Sequence, residues 1–237
     1  PYDSPGALSE EPAPRAAQVT AIEQVASEVI RLEVQVADDV VFEPGQYVRI
    51  RPEGTDVSRS YSMANAPGVN RPEFFIRSVP GGAFSQWLAG AKVGDALELS
   101  APHGTFFLRD EDRPRLFVAG GTGVAPFLSM LRSMARQPTA QRTTFVIGAR
   151  TPGHLFAMDE LQSLGAQMQG IDLRIAVEQD AAQGCHAGYP TDLIHQLGLD
   201  PATRVYLCGP PPMVEAGRKA AEAAGLPRAD VLCERFT

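Results

Sequence analysis

The chain has 237 residues, of which 44% are hydrophobic and 21% charged, with 22 glycines and 20 prolines. That composition is globular and turn-rich, long enough for one large domain or two small ones, and it excludes collagen-like, disordered and disulfide-stapled miniprotein classes. The formal net charge of −7 falls entirely in residues 1–114, with 17 acids against 10 bases, while residues 115–237 balance. Such a chain has no bulk electrostatic pull on nucleic acid or an anionic membrane, and the asymmetry points to two units.

Residues 1–15 open with four prolines and three acids and no apolar run. They read as a linker rather than a signal peptide. The proline-rich opening raises the expectation of a further domain upstream, with an ordinary flexible terminus as the alternative. Short β-like segments follow at 19–25, 29–36, 46–50, 59–63, 73–79 and 96–100, separated by turn residues such as Pro44-Gly45. Six short strands of this kind predict a closed antiparallel β-barrel. One short helix is expected at 83–88, with Trp87 and Leu88 as core residues.

After Pro114 the rhythm changes to apolar strands alternating with helices: 115–119 with 126–135, 143–147 with 158–164, 173–177 with 191–197, and 205–207 with 212–224. This pattern predicts a doubly wound α/β domain with a parallel sheet covered on both faces. The boundary falls in the charged turn 109–114, giving units 16–112 and 113–237. The uncharged stretch 116–131 is too short and glycine-rich to span a bilayer, so no membrane segment is expected. Cys185, Cys208 and Cys233 are odd in number and widely spaced, and the four histidines show no ligand spacing. No metal site is expected, and a reducing cytoplasm fits best.

Four segments carry chemistry. Gly120-Gly121-Thr122-Gly123-Val124-Ala125-Pro126 joins an apolar strand to a helix. Glycines there let backbone N–H groups approach a phosphate, the helix start adds favourable dipole charge, and Pro126 suits a first helical turn. It is not the GxGxxG fingerprint, because Pro126 stands at the third glycine, and a ligand-free turn is its other reading. Cys208-Gly209-Pro210-Pro211-Pro212-Met213 ends a later strand, where such sheets bind ligands, although Cys208 alone reads equally as a buried thiol and the prolines as a strand stop. In Arg59-Ser60-Tyr61-Ser62 the arginine suits a pyrophosphate, the tyrosine ring a flat heteroaromatic and the serines ring-nitrogen hydrogen bonds; a half-exposed strand is the plainer reading. Gly81-Gly82-Ala83-Phe84-Ser85 is a glycine turn opening a helix, either an anion site or a simple connection.

Taken in order, these segments resemble the ferredoxin–NADP reductase family over nearly the whole chain. RSYS is similar to its flavin-binding RxYS motif, GGTGVAP to its pyridine-nucleotide loop and CGPPPM to its nicotinamide-side CGPP motif. Within the family the chain looks most like reductase components of bacterial multicomponent oxygenases, and Phe75–Ser85 resembles their FAD-phosphate loop. The resemblance implies FAD and NADH as cofactors and a hydride passed from nicotinamide to flavin N5, followed by single-electron delivery. Arg59 would then contact the FAD pyrophosphate, Ser60 would join it, Tyr61 would stack on the isoalloxazine and Ser62 would bond near N5. Ile76, Arg77, Val79, Gly81, Gly82, Ala83, Phe84 and Ser85 would form the phosphate loop. Gly121, Thr122, Gly123 and Pro126 would meet the dinucleotide phosphates, with Arg150 as one further contact. Cys208, Gly209, Pro210 and Met213 would line the nicotinamide side. The resemblance also implies a carboxylate and aromatic pair near the end, here Glu234 and Phe236, with Phe236 covering the flavin face.

NADP-using relatives carry a Ser-Arg pair after the third strand of this domain, whereas this chain has Glu178-Gln179-Asp180. Acids there would repel a 2′-phosphate, so NADH is expected and NADPH is less favoured. No CxxxxCxxC spacing is present, so a [2Fe-2S] ferredoxin domain is expected either upstream or as part of a separate oxygenase component. The alternatives are a flavohaemoglobin-type reductase half, a free flavin reductase, or a flavin electron-relay subunit without NADH activity.

Overall fold

The computed structural model describes residues 12–137, 141–168 and 170–236. The first eleven residues of the expected linker lie outside the described residues, and Arg15 already belongs to the first strand. Strands β1 (Arg15–Ala26), β2 (Val29–Val36), β3 (Tyr47–Pro52), β4 (Arg59–Ser62), β5 (Glu73–Arg77) and β6 (Ala96–Leu99) pair in the order β4-β3-β6-β1-β2-β5. Every pairing in this sheet is antiparallel. The sheet closes into the expected barrel just beyond β4, where the Ala64 N–H donates to the Glu73 carbonyl at 2.8 Å. The Glu73 N–H in turn donates to Asn65 Oδ1 at 3.0 Å.

The barrel core follows from the two-residue period of its strands. Leu32, Val34 and Val36 point inward from β2, Val48 and Ile50 from β3, and Leu97 and Leu99 from β6. Each aliphatic side chain so buried contributes roughly 1.5–3 kcal/mol. Helix α1 (Ala83–Gly90) plugs the barrel with Phe84 and Leu88, and Trp87 packs beside them.

The second sheet is wholly parallel. Strands β7 (Arg115–Gly120), β8 (Thr143–Ala149), β9 (Ile171–Val177), β10 (His186–Ala187), β11 (Arg204–Gly209) and β12 (Val231–Arg235) lie in the order β10-β9-β8-β7-β11-β12. Helices α2 (Val124–Arg136) and α3 (Met158–Gln167) cover the face that buries Phe117, Phe145 and Tyr206. Helix α4 (Pro211–Ala223) covers the face that buries Leu116, Val146 and Leu207. The chain leaves β7 towards β8 on one side and returns to β11 on the other. That reversal opens a crevice at the carboxyl ends of β7 and β11.

Three local features differ from expectation. The segment expected as a helix at 191–197 is a 3₁₀ turn, Pro190–Gln196. It is short, starts at a proline and stops before Gly198 at φ +55°, and β-branched Thr191 and Ile194 oppose α-helical nucleation. Helix α2 begins at Val124 after a 3₁₀ turn over Gly121–Gly123, so Pro126 sits third in the helix. It is tolerated there because first-turn N–H groups have no acceptor within the helix. Strand β12 was not expected, because five residues ending in Glu234-Arg235 carry no clear period.

Candidate active site

A cavity of about 610 Å³ fills the crevice. Its floor is Gly120, Gly121 and Thr122 at the end of β7, with Gly148 and Arg150 from β8 and Pro210 and Met213 beyond β11. Close packing explains the glycines. A Cβ on Gly123 would lie 2.2 Å from the Cys208 carbonyl oxygen, and one on Gly148 would lie 2.5 Å from Pro190 Cγ. Gly121 is different: its φ is +55° and nothing lies within 4 Å of where a Cβ would be. Its backbone therefore faces open space, at a helix start with no side-chain cap, which suits a phosphate.

A second group of candidate residues lies on β4 and at the start of α1. Arg59 and Ser60 are exposed, and the Tyr61 and Phe84 rings lie 5.1 Å apart, which holds the strand against the helix. The Arg59 guanidinium bonds only its neighbouring Ser58 carbonyl and meets no carboxylate among the described residues. No side chain caps α1 at Gly82, and Ser85 Oγ accepts the Val79 N–H at 2.8 Å. An unpaired arginine beside uncapped helical N–H groups is a donor set that fits a pyrophosphate. Burial pushes the Tyr61 hydroxyl pKa far up, so the ring stays neutral. Ile76 and Phe84 are core residues, 0% and 3% exposed, and can offer a ligand only backbone groups.

The strand that carries Ser62 and the last strand of the parallel sheet meet around Gly104. Ser62 pairs with Tyr47, and a Cβ on Gly104 would lie 3.0 Å from the Tyr47 ring and 3.9 Å from the Glu234 carboxylate. Glu234 is the β12 neighbour of Cys208 on β11. Its carboxyl is held above the ordinary value of 4.5 by desolvation, and no cation pairs with it among the described residues. Phe236 donates its N–H to the Gly209 carbonyl at 3.1 Å and packs on the cluster that contains Cys208. Cys208 itself is 0% exposed, and burial pushes its thiol pKa well up. The groups β11 offers to the cavity are thus Pro210 and, from α4, Met213, not the thiol.

The nucleotide-side acids also separate. Glu178 lines the cavity, whereas Asp180 turns away at φ +57° and does not. Sequence reasoning missed two contributors. Tyr189, 57% exposed, offers a ring to the cavity wall just before Pro190. Glu28 reaches the cavity from the β1–β2 hairpin of the barrel: its carboxylate meets Arg150 Nη2 at 3.1 Å and Arg77 Nε at 3.6 Å. A glycine before Tyr189-Pro190 was a faint signal for the first; nothing in the local sequence marks the second.

A barrel presenting an unpaired arginine near a helix start, joined to a parallel sheet whose switch-point crevice presents a glycine turn, fits an oxidoreductase with separate flavin and pyridine-nucleotide sites. The chain matches an oxidoreductase FAD-binding domain family over residues 16–108 and an oxidoreductase NAD-binding domain family over residues 117–219. It is 35% identical to the toluate 1,2-dioxygenase electron transfer component of Pseudomonas putida, across 93% of this chain and 67% of that protein. It is 40% identical to methane monooxygenase component C of Methylosinus trichosporium over 78% of this chain and 57% of that one. Among solved structures, the Amycolatopsis cytochrome P450 reductase GcoB superposes with a TM-score of 0.89 at 29% identity, covering 95% of this chain and 70% of that one. The chain belongs to the ferredoxin-reductase-like family of FAD- and NAD-binding reductase components of oxygenase systems. It spans about two thirds of the length of the toluate relative and 57% of the methane monooxygenase relative.

Proposed function

We propose that this chain is the NADH-oxidising flavin module of an oxygenase system, with residues 16–112 holding FAD and residues 113–237 holding the dinucleotide. The observation that supports it is the meeting of the two sites: the strand carrying Ser62 is linked through Tyr47 and Gly104 to Glu234, beside Cys208 and Phe236. When bound, FAD supplies the chemistry, accepting a hydride from the nicotinamide and releasing electrons one at a time. The protein positions and shields. Arg59 and the α1 N–H groups hold the pyrophosphate of the flavin, and Tyr61 and Ser62 set the ring. Gly121 and Thr122 seat the dinucleotide phosphates, with Tyr189 available to the adenine. Phe236 covers the entry to Cys208, so nicotinamide approaches as that ring moves aside, and the buried contact keeps water out of the transfer.

Glu178 in the cavity wall supports NADH over NADPH, since a carboxylate repels a 2′-phosphate and can accept a bond from a 2′-hydroxyl. The electron acceptor is a [2Fe-2S] ferredoxin domain, joined to this module or carried by a separate oxygenase component. The residues described contain no cluster of three or more metal-ligating side chains and no helix long and apolar enough to cross a membrane. Three free cysteines are in keeping with a reducing cytoplasm. Anaerobic rapid mixing of the FAD-loaded protein with NADH or NADPH tests the reading. Flavin absorbance should bleach with both, and at low concentration much faster with NADH. Failure to retain FAD after reconstitution, or faster bleaching by NADPH, would overturn it.

A further inference from the structure

In a doubly wound sheet, the residue following the strand after the first crossover lies beside the adenosine ribose, where an acid selects a free 2′-hydroxyl and an arginine accommodates a 2′-phosphate. Here that strand is β8, and the residue after it is Arg150, with His154 four positions on. Taken alone, Arg150 favours a phosphorylated ribose, the opposite of what Glu178 favours. The conflict is resolved from the other half of the molecule. Glu28, on the barrel hairpin, sets its carboxylate between Arg150 and Arg77 and 3.8 Å from His154 Nε2.

We propose that Glu28 is a specificity-determining residue for the dinucleotide: by occupying the arginine pair Arg150 and Arg77, it bars a 2′-phosphate and leaves the cavity selective for NADH. The inference rests on the NADH-oxidising reading above.

The hairpin that carries the carboxylate is held in place. Ser27 donates its N–H to the Gly153 carbonyl at 2.7 Å, tying the hairpin tip to the turn that carries His154. The Glu28 carbonyl accepts the Ser78 N–H at 2.7 Å, and Glu28 holds a left-handed φ of +59°. Arg150 is fixed as well. Its Nη2 lies 2.7 Å from His154 Nε2, and because arginine only donates, that nitrogen accepts. The His154 proton then sits on Nδ1, 2.7 Å from Thr151 Oγ1. A phosphate entering here meets a carboxylate and finds the nearest arginine already paired. A ribose hydroxyl meets an acceptor for its proton and loses nothing.

The test is calorimetric binding of 5′-ADP and 2′,5′-ADP to the FAD-loaded protein, its Glu28→Gln variant and the Glu28→Gln/Arg150→Gln double variant. In Glu28→Gln the affinity for 2′,5′-ADP relative to 5′-ADP should rise about tenfold, the scale of one charge-assisted hydrogen bond gained. The double variant should lose that gain, and in Glu28→Gln the rate of flavin reduction by NADPH relative to NADH should follow the same ratio. If the native protein prefers 5′-ADP but Glu28→Gln leaves the ratio unchanged, Glu28 does not set specificity and this inference alone fails. If the native protein binds both nucleotides equally, the NADH reading fails with it. A ratio that rises but persists in the double variant would assign selectivity to repulsion alone and overturn the part given to Arg150.

Discussion

Glu234 sits half-buried at the junction of the two sites with no cation beside it, so burial raises its carboxyl pKa above 4.5. A raised carboxyl binds its proton more tightly in the folded state, so it costs stability above that range, and the cost fades as pH falls below the unfolded value. Glu234→Gln should therefore raise the melting temperature at pH 7 by a fraction of the roughly 2–4 °C that 1 kcal/mol represents in a chain this size. The gain should shrink towards zero below about pH 4.5. Equal gains at both pH values would show that charge burial is not the cause. Arg59 gives a second test at this scale. Exposed and, among the described residues, bonded only to Ser58, it carries almost no folding energy, so Arg59→Ala should leave the melting temperature of the flavin-free protein within about 1 °C. FAD binding should weaken about tenfold or more, as expected for a lost charged contact to phosphate. Titration of the apoprotein with FAD reads this directly, and unchanged affinity would remove Arg59 from the site. Such residues were legible because residue type and motif position suffice to nominate an arginine for phosphate. Glu28 was not, since its partner Arg150 lies 122 positions away and its position depends on a left-handed turn with no glycine to announce it.

Elements were legible in proportion to their apolar period. Strands β7 and β8, buried at every residue, read as continuous hydrophobic runs, and the barrel strands as alternating ones. Short elements with weak periods were missed or mistyped. β12 is held by its register against β11 rather than by its own composition, and the Pro190–Gln196 turn is set by its proline start and by packing under α4. The turn from β7 into α2 is set by contact. Gly123 lies so close to β11 that a methyl group would overlap the Cys208 backbone carbonyl at 2.2 Å. Backbone cannot yield as a flexible side chain does, so Gly123→Ala must push the start of α2 off the sheet. The expected cost is about 2–3 kcal/mol of stability, with loss of 5′-ADP binding, because Gly121 and Thr122 move with that turn. Guanidinium unfolding and calorimetry check the two together; a variant of native stability that still binds would show that the helix start is slack.

At the scale of the whole molecule, the two halves are joined by a shared apolar cluster and by an ion cluster behind the site. Arg132 on α2 pairs with Glu73 on β5 and with Glu160 on α3, and donates to the Ala64 carbonyl at 2.8 Å, where the barrel closes. Arg31 pairs with Glu73 from the barrel side. Glu73 is well buried, and although desolvation opposes it, the two arginines bring its carboxyl pKa below 4.5. A lowered carboxyl stabilises the fold above the unfolded value, and that contribution is lost as pH falls through the lower folded value. Arg132→Ala leaves Glu73 with Arg31 and strips the junction of an arginine that ties the barrel to two helices. The loss should be about 2 kcal/mol at pH 7, below the range for an entirely orphaned buried charge because Arg31 remains. It should narrow as pH falls, first as Glu73 takes up its proton in the variant, and vanish only below the lowered folded value of the native protein, where the charge is gone from both. The only tryptophan, Trp87, sits on α1 in the barrel, so its fluorescence reports that half alone, while circular dichroism reports both. In the native protein the two signals should unfold together in urea. In Arg132→Ala they should separate, with α2 and its sheet melting first, and coincident transitions in the variant would show that the hydrophobic contact of Phe75 with Phe156, their rings 4.7 Å apart, suffices to couple the halves without the ion cluster.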